Sequence, residues 1–253
     1  AGNAGAVVIG DVNADSRPDL AVGCGLNYGP SWNNISVLLG HGDGTFAPRI
    51  EVGAGQRWTG SPLVTADLDG DGHLDLASGN GAGVALMFGN GDGTFGPQAR
   101  YETARYPAVV KSADLNGDGK LDLVVGSRTS SAISVLPGKG AGGLAARTDL
   151  PTPGPSGSLA IQDLNHDQVP DVVVANRWPA PTVVSLFVGD GMGGFLPRAD
   201  IEAGRMLGNI AIADVNRDDR ADLVMTSWGV GGQGRAISVL PGNGDATFGP
   251  SVD

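Results

Sequence analysis

Five stretches of nine residues set oxygen-bearing side chains at alternate positions: 11–19, 67–75, 114–122, 163–171 and 214–222. Positions 1, 3, 5 and 9 are Asp or Asn in every copy. They are Asp11, Asn13, Asp15 and Asp19; Asp67, Asp69, Asp71 and Asp75; Asp114, Asn116, Asp118 and Asp122; Asp163, Asn165, Asp167 and Asp171; and Asp214, Asn216, Asp218 and Asp222. Position 7 varies freely (Arg17, His73, Lys120, Val169, Arg220), so only its backbone carbonyl can be a common ligand. Calcium takes six to eight oxygens at adaptable distances, and alternate residues of a tight loop can aim several carboxylates at one centre. Asp, Asn and Gly also form turns without any ion, which would explain one such loop. Five loops with every oxygen position filled, each between apolar runs, point to bound calcium, up to one ion per loop. The terminal Glu and flanking helices of an EF-hand are missing, which excludes that motif. Gly70, Gly72, Gly117 and Gly119 make the second and third loops the expected strongest sites, because glycine accepts the tight backbone. Ser16, Gln168 and Asp219 take the place of the second glycine elsewhere.

The formal charge of −11 over 253 residues excludes nucleic acid as an expected partner, since that binding needs clustered Lys and Arg. Sixteen aspartates stand at ligand positions, and five divalent ions would bring the charge to about −1. The acidity is thus metal-site charge rather than an acidic docking surface. Cys24 is the single cysteine, so no intrachain disulfide can form. The sequence contains no signal-peptide pattern and no apolar run of membrane-spanning length. Calcium sites of modest affinity fit an extracellular, cell-surface or periplasmic setting and a mature chain without its leader.

The loops need strands to hold them. Their first aspartates lie 56, 47, 49 and 51 residues apart, and each loop follows a short apolar run (6–9, 63–66, 109–110, 159–161, 210–213). A second run follows directly, as in 20–22, 123–125 and 172–174, then a third, as in 35–39 and 133–136. Gly-rich segments come next, such as 41–46 and 90–95 with their Asp-Gly hairpin signal, and then a fourth run, as in 49–52 and 200–203. Four strands repeating at this interval read as propeller blades. The expected fold is all-β: one β-propeller domain of five four-stranded blades, with repeats at about 1–53, 54–103, 104–150, 151–203 and 204–253. A closed five-bladed ring is the expected form, and part of a longer propeller is the alternative.

The segments Asp67-Leu-Asp-Gly-Asp-Gly-His-Leu-Asp75 and Asp114-Leu-Asn-Gly-Asp-Gly-Lys-Leu-Asp122, with Gly89-Asn-Gly-Asp-Gly-Thr-Phe95, resemble FG-GAP or VCBS repeats. Such repeats occur in integrin α-subunit propellers, a fungal propeller lectin and secreted bacterial proteins. The resemblance implies calcium and a loop joining the innermost strand of each blade to the second. It does not select a function, since these propellers include adhesion modules, lectins and polysaccharide lyases. The segment Gly142-Gly143-Leu144 departs from the hairpin pattern of the other repeats.

Antiparallel strands would put the metal loops on one face and the second-to-third loops and blade links on the other. The links carry Arg57-Trp58, Arg105-Tyr106 and Arg205-Met206, and the second-to-third loops carry Trp32, Arg128, Arg177, Trp178, Trp228 and Arg235, with no acidic residue among them. Aromatic residues and Arg stems can simply seal blade junctions. They also suit recognition of an acidic carbohydrate, or of a protein ligand with an acidic side chain. The expected function is a non-catalytic, lectin-like or adhesive recognition module. Glycoside hydrolysis needs two carboxyl groups, which this face lacks. The enzyme alternative is therefore a polysaccharide lyase using Tyr106 or Tyr28 with Arg support, and the remaining alternative is a structural module of a larger secreted protein.

Overall fold

The computed structural model describes residues 3–25, 34–53, 62–177, 183–203, 207–228 and 235–252. Every regular element among them is a strand. The strands β1 (Asn3–Gly10), β2 (Asp19–Gly25), β3 (Asn34–Leu38) and β4 (Ile50–Gly53) form a sheet in that order, antiparallel at each pairing. A second sheet repeats the plan with β5 (Leu63–Ala66), β6 (Asp75–Asn80), β7 (Gly83–Met87) and β8 (Ala99–Glu102). The third uses β9 (Pro107–Ala113), β10 (Asp122–Ser127), β11 (Ala132–Leu136) and β14 (Thr148–Pro151). Between its last two strands lies a small hairpin of β12 (Gly138–Gly140) and β13 (Gly143–Leu144). The hairpin is therefore made in this repeat too, with Ala141 and Gly142 at its turn, Gly143 and Leu144 in its second strand, and a register shift between Gly138 and Gly140.

The fourth sheet contains β15 (Ser156–Gln162), β16 (Asp171–Asn176), β17 (Val183–Phe187) and β18 (Ala199–Glu202), antiparallel throughout. The fifth has β19 (Leu207–Ala213), β20 (Asp222–Trp228) and β21 (Arg235–Leu240), with Val239 bridged to Val252 where a fourth strand would pair. The chain forms two compact units, 1–112 with 120–125 and 134–148, and 113–119 with 126–133 and 149–253.

Side-chain alternation explains why the second strands read as unbroken apolar runs. Successive residues of a strand point to opposite faces, and in the first unit Leu76 enters a core with Ala21, Ile35, Val37 and Met87 while its neighbour Ala77 enters another with Leu86, Leu123 and Leu136. The second sheet is thus covered on both faces. In the second unit Val173, Val184, Leu186, Ile210, Leu223 and Met225 form one core joining the fourth and fifth sheets. Each fully buried aliphatic side chain contributes roughly 1.5–3 kcal/mol. These stacked sheets hold the loops at their ends in fixed register.

Candidate metal centres and the opposite loop face

All five nine-residue loops have one backbone conformation. Positions 4 and 6 have positive φ in every copy: Ala14 and Ser16, Gly70 and Gly72, Gly117 and Gly119, His166 and Gln168, Arg217 and Asp219. The carboxylate at position 1 accepts the position 6 N–H at 2.7–3.0 Å in all five, as Asp67 does from Gly72. Position 3 accepts the N–H of position 5, as Asn116 does from Asp118 at 2.9 Å. Position 5 accepts that of position 7, as Asp71 does from His73 at 2.8 Å. The chain therefore wraps around its own carboxylates, and Asp67, Asp69 and Asp71 bring oxygens within 4.8 Å of one another.

Glycine accepts this left-handed backbone freely, whereas other residues pay about 1–2 kcal/mol. Six non-glycine residues, Ala14, Ser16, His166, Gln168, Arg217 and Asp219, occupy it at φ between 57° and 68°. Ser16→Gly and Gln168→Gly are expected to stabilise the protein by about 0.5–1 kcal/mol each, the strain relieved less the entropy glycine loses on folding. Urea unfolding at fixed calcium measures this, and a loss of stability in both variants would contradict it.

Position 9 is the structural tie. Asp19, Asp75, Asp122, Asp171 and Asp222 are at most 1% exposed. Asp75 accepts the Leu68 N–H at 2.7 Å through one oxygen and the Gly89 N–H at 2.8 Å through the other. Asp19, Asp171 and Asp222 hold the same pair of donors in their own repeats, one from loop position 2 and one from the glycine that opens the hairpin between the third and fourth strands. Burial is the main cause that pushes Asp75 up to about 6, opposed by those two N–H groups and reinforced by the charges of Asp69 and Asp71. Asp171 is raised in the same way, by burial first. Buried carboxylates crowded by other carboxylates fit an oxygen-coordinated divalent cation, which would offset both the desolvation and the repulsion. Positions 1, 3, 5 and 9, with the position 7 carbonyl, are the groups that could hold it.

The hairpin-opening glycines, Gly40, Gly89, Gly138, Gly189 and Gly242, are a feature that the metal pattern alone did not single out. A Cβ on Gly89 would stand 2.3 Å from the Leu74 carbonyl oxygen, and on Gly242 2.1 Å from that of Ala221. Only glycine lets the hairpin close on the metal loop of its own sheet. The hairpin tip then reaches the loop of the preceding sheet: the Gly93 N–H donates to the Val12 carbonyl at 3.2 Å, Ala141 to Asp69 at 2.8 Å, and Ala246 to Leu164 at 3.3 Å. The sequence signal was present as the fivefold Gly-x-Gly-x-[Gly/Ala]-x-[Phe/Leu] run.

At the other end of the sheets the expected ligand residues are only partly in view. Trp32, Arg57, Trp58, Trp178 and Arg205 lie outside the described residues, and Trp228 is placed only as the last residue of β20. Arg105 and Tyr106 are exposed, and the Tyr106 N–H donates to the Gly81 carbonyl at 3.3 Å, which puts this link beside a second-to-third turn as the antiparallel plan requires. Arg177 lies against Gly157, its Cγ 3.1 Å from where a Cβ would stand, which is a packing role for its stem. The Nε of Arg128 is buried without a hydrogen-bond partner among the described residues.

The repeated loop and four-strand plan define a repeat-built, all-β class of protein. Residues 11–78, 67–125, 114–174 and 163–225 each match the FG-GAP-like repeat, so the chain belongs to that family. No curated protein sequence matches it. Its fold is similar to that of an Agrocybe aegerita lectin described by its specific recognition of non-reducing terminal N-acetylglucosamine (TM-score 0.63, 20% identity, 98% of this chain and 65% of the lectin). It is also similar to the Vibrio cholerae biofilm matrix protein Bap1 (TM-score 0.58, 20% identity, 97% of this chain and 38% of Bap1). A rhamnogalacturonan lyase of Bacillus licheniformis gives a TM-score of 0.50 at 15% identity, over 88% of this chain and 55% of the lyase. The chain therefore spans less than two thirds of each of these structures.

Proposed function

We propose that the chain is a calcium-binding β-propeller of five blades that serves as a recognition module for carbohydrate or a protein ligand outside the cell or at its surface. The observation that carries the calcium reading is the fivefold recurrence of one loop geometry around a buried position 9 carboxylate. Support for recognition comes from the likeness in fold to a lectin and to a biofilm matrix protein. The fold provides rigid sheets that present loops at both ends, where binding functions commonly reside. Calcium would hold the metal loops, and through the hairpins that dock on them it would fix neighbouring blades in register. Arg105 in a blade link, and Arg128 and Arg177 at second-to-third loops, are each candidate contacts for an acidic group. No helix among the described residues is long and apolar enough to cross a membrane.

A glycan array probed with the protein in calcium and in excess chelator tests the proposal. Binding to a restricted set of glycans in calcium, lost on chelation, is the expected result. Release of an unsaturated, ultraviolet-absorbing product from a pectic polysaccharide would replace this reading with the lyase alternative.

A further inference from the structure

Neighbouring sheets stack by joining two different faces. In the first unit, Val12, Ile35 and Val37 of the first sheet share a core with Leu63, Leu76 and Met87 of the second. In the second unit, Leu164, Val184 and Leu186 of the fourth sheet share a core with Ile210, Leu223 and Leu240 of the fifth. The repeat positions are the same in both cores. The earlier sheet contributes a trailing face, made by position 2 of its metal loop and two residues of its third strand. The later sheet contributes a leading face, made by the residue four before its loop, the one directly after the loop, and the end of its third strand.

The leading face of the first sheet and the trailing face of the fifth are bare. Val7 is 55% exposed, whereas its counterparts Leu63, Val110, Leu159 and Ile210 are at most 8% exposed. Leu20 and Leu38, on the same face, are half-buried where every counterpart is at most 3% exposed. On the fifth sheet Val215 is 50% exposed, against at most 3% for Val12, Leu68, Leu115 and Leu164. Ile237 is 63% exposed, while Ile35, Val84, Ile133 and Val184 at its position are at 0%. The hairpin of the first sheet agrees. Gly93 donates to the Val12 carbonyl of the preceding sheet, and a Cβ on it would stand 2.9 Å from the Leu39 side chain, whereas a Cβ on Gly44, the same residue of the first hairpin, would meet nothing within 4 Å. Exposed apolar surface grouped in this way marks a contact site.

We propose that these two faces join copies of this chain head to tail, the leading face of one copy's first sheet stacking on the trailing face of another copy's fifth sheet. The occupant follows from the faces themselves. Within each unit a leading face is covered by a trailing face of the same repeat, and this chain carries one bare example of each. A contact between unlike faces is heterologous, so every added copy presents the next free face and growth passes beyond a dimer unless a ring closes. Four strands about 4.8 Å apart, with about six residues each at about 3.3 Å, make a face of roughly 20 Å by 20 Å. That is smaller than the ~800 Å² per partner of a standard interface, so association is expected in the micromolar range. Such an array would repeat any ligand site of the recognition module and raise its avidity.

Sedimentation velocity of the chain in millimolar calcium, over roughly 1 to 200 μM to bracket micromolar affinity, tests the proposal with Val7→Asp and Ile237→Asp. Each variant places a carboxylate on one bare face and leaves the other intact. The expected result is a mass above the monomer that rises with concentration in the parent chain, and a monomer in each variant alone. An equimolar mixture of the two variants should form dimers and nothing larger, because one intact leading face and one intact trailing face remain between them. Melting temperatures at the lowest concentration should match that of the parent. A parent that stays monomeric at every concentration, association that persists in both variants, or a mixture that stays monomeric would overturn the proposal. Association lost in only one of the variants would mean that like faces pair, which overturns the head-to-tail form. A melting temperature markedly lowered in either variant would mean that its residue is covered within the chain, and would overturn the bare face itself.

Discussion

Asp75→Ala is expected to destabilise the protein by about 3–5 kcal/mol, because it removes an acceptor shared by the metal loop and the hairpin of the second sheet. Both oxygens of this buried carboxylate are in use, on Leu68 and Gly89. Losing them leaves two buried N–H groups unsatisfied, at about 1–3 kcal/mol each. Asp75→Asn should recover little, since its amide would face one of those donors with a donor of its own. Asp92 provides the contrast. It is exposed at the hairpin tip, where the Thr94 hydroxyl and then the Thr94 N–H hold its carboxyl below the ordinary range. Asp92→Ala should cost much less than Asp75→Ala, because its hydrogen bonds are made in solvent, which replaces them when they are lost. Urea unfolding in calcium measures both, and an Asp75→Ala loss no larger than that of Asp92→Ala would contradict the tie.

Much of this arrangement could be read in the residues. Alternating oxygens at 67, 69, 71 and 75 fall on a loop between strands as their spacing requires, because local turn chemistry decides that conformation. The runs 123–125 and 172–174 are strands buried on both faces, which their unbroken apolar character implied. What the pattern did not reveal depends on contacts between repeats. Ala14, His166 and Arg217 adopt positive φ despite having side chains, since the surrounding carboxylate bonds dictate the loop over local preference. The five position 9 aspartates read as equal ligands in sequence, and only the fold makes them the buried link between loop and hairpin.

Removing calcium is expected to have the largest effect. An ion that binds only the folded state stabilises it by about 2.7 kcal/mol at a hundredfold excess over its dissociation constant, and up to five such sites act on one chain. Without ions the loop carboxylates repel one another and the position 9 groups are buried without a cation beside them. The pH dependence should reverse as well. Asp75, pushed up to about 6 without an ion, binds more protons folded than unfolded between its ordinary value of 3.8 and 6. Its ionisation therefore lowers the stability of the ion-free protein as pH rises through that window. In calcium the same carboxylates must be ionised to bind, so stability should instead fall as pH drops.

The most direct measurement is the melting curve of the chain in millimolar calcium and in excess chelator at neutral pH. The account predicts a melting temperature lower by about 10 °C or more in chelator, restored by adding calcium back. Superimposable curves, with no heat of calcium binding by calorimetry, would contradict it.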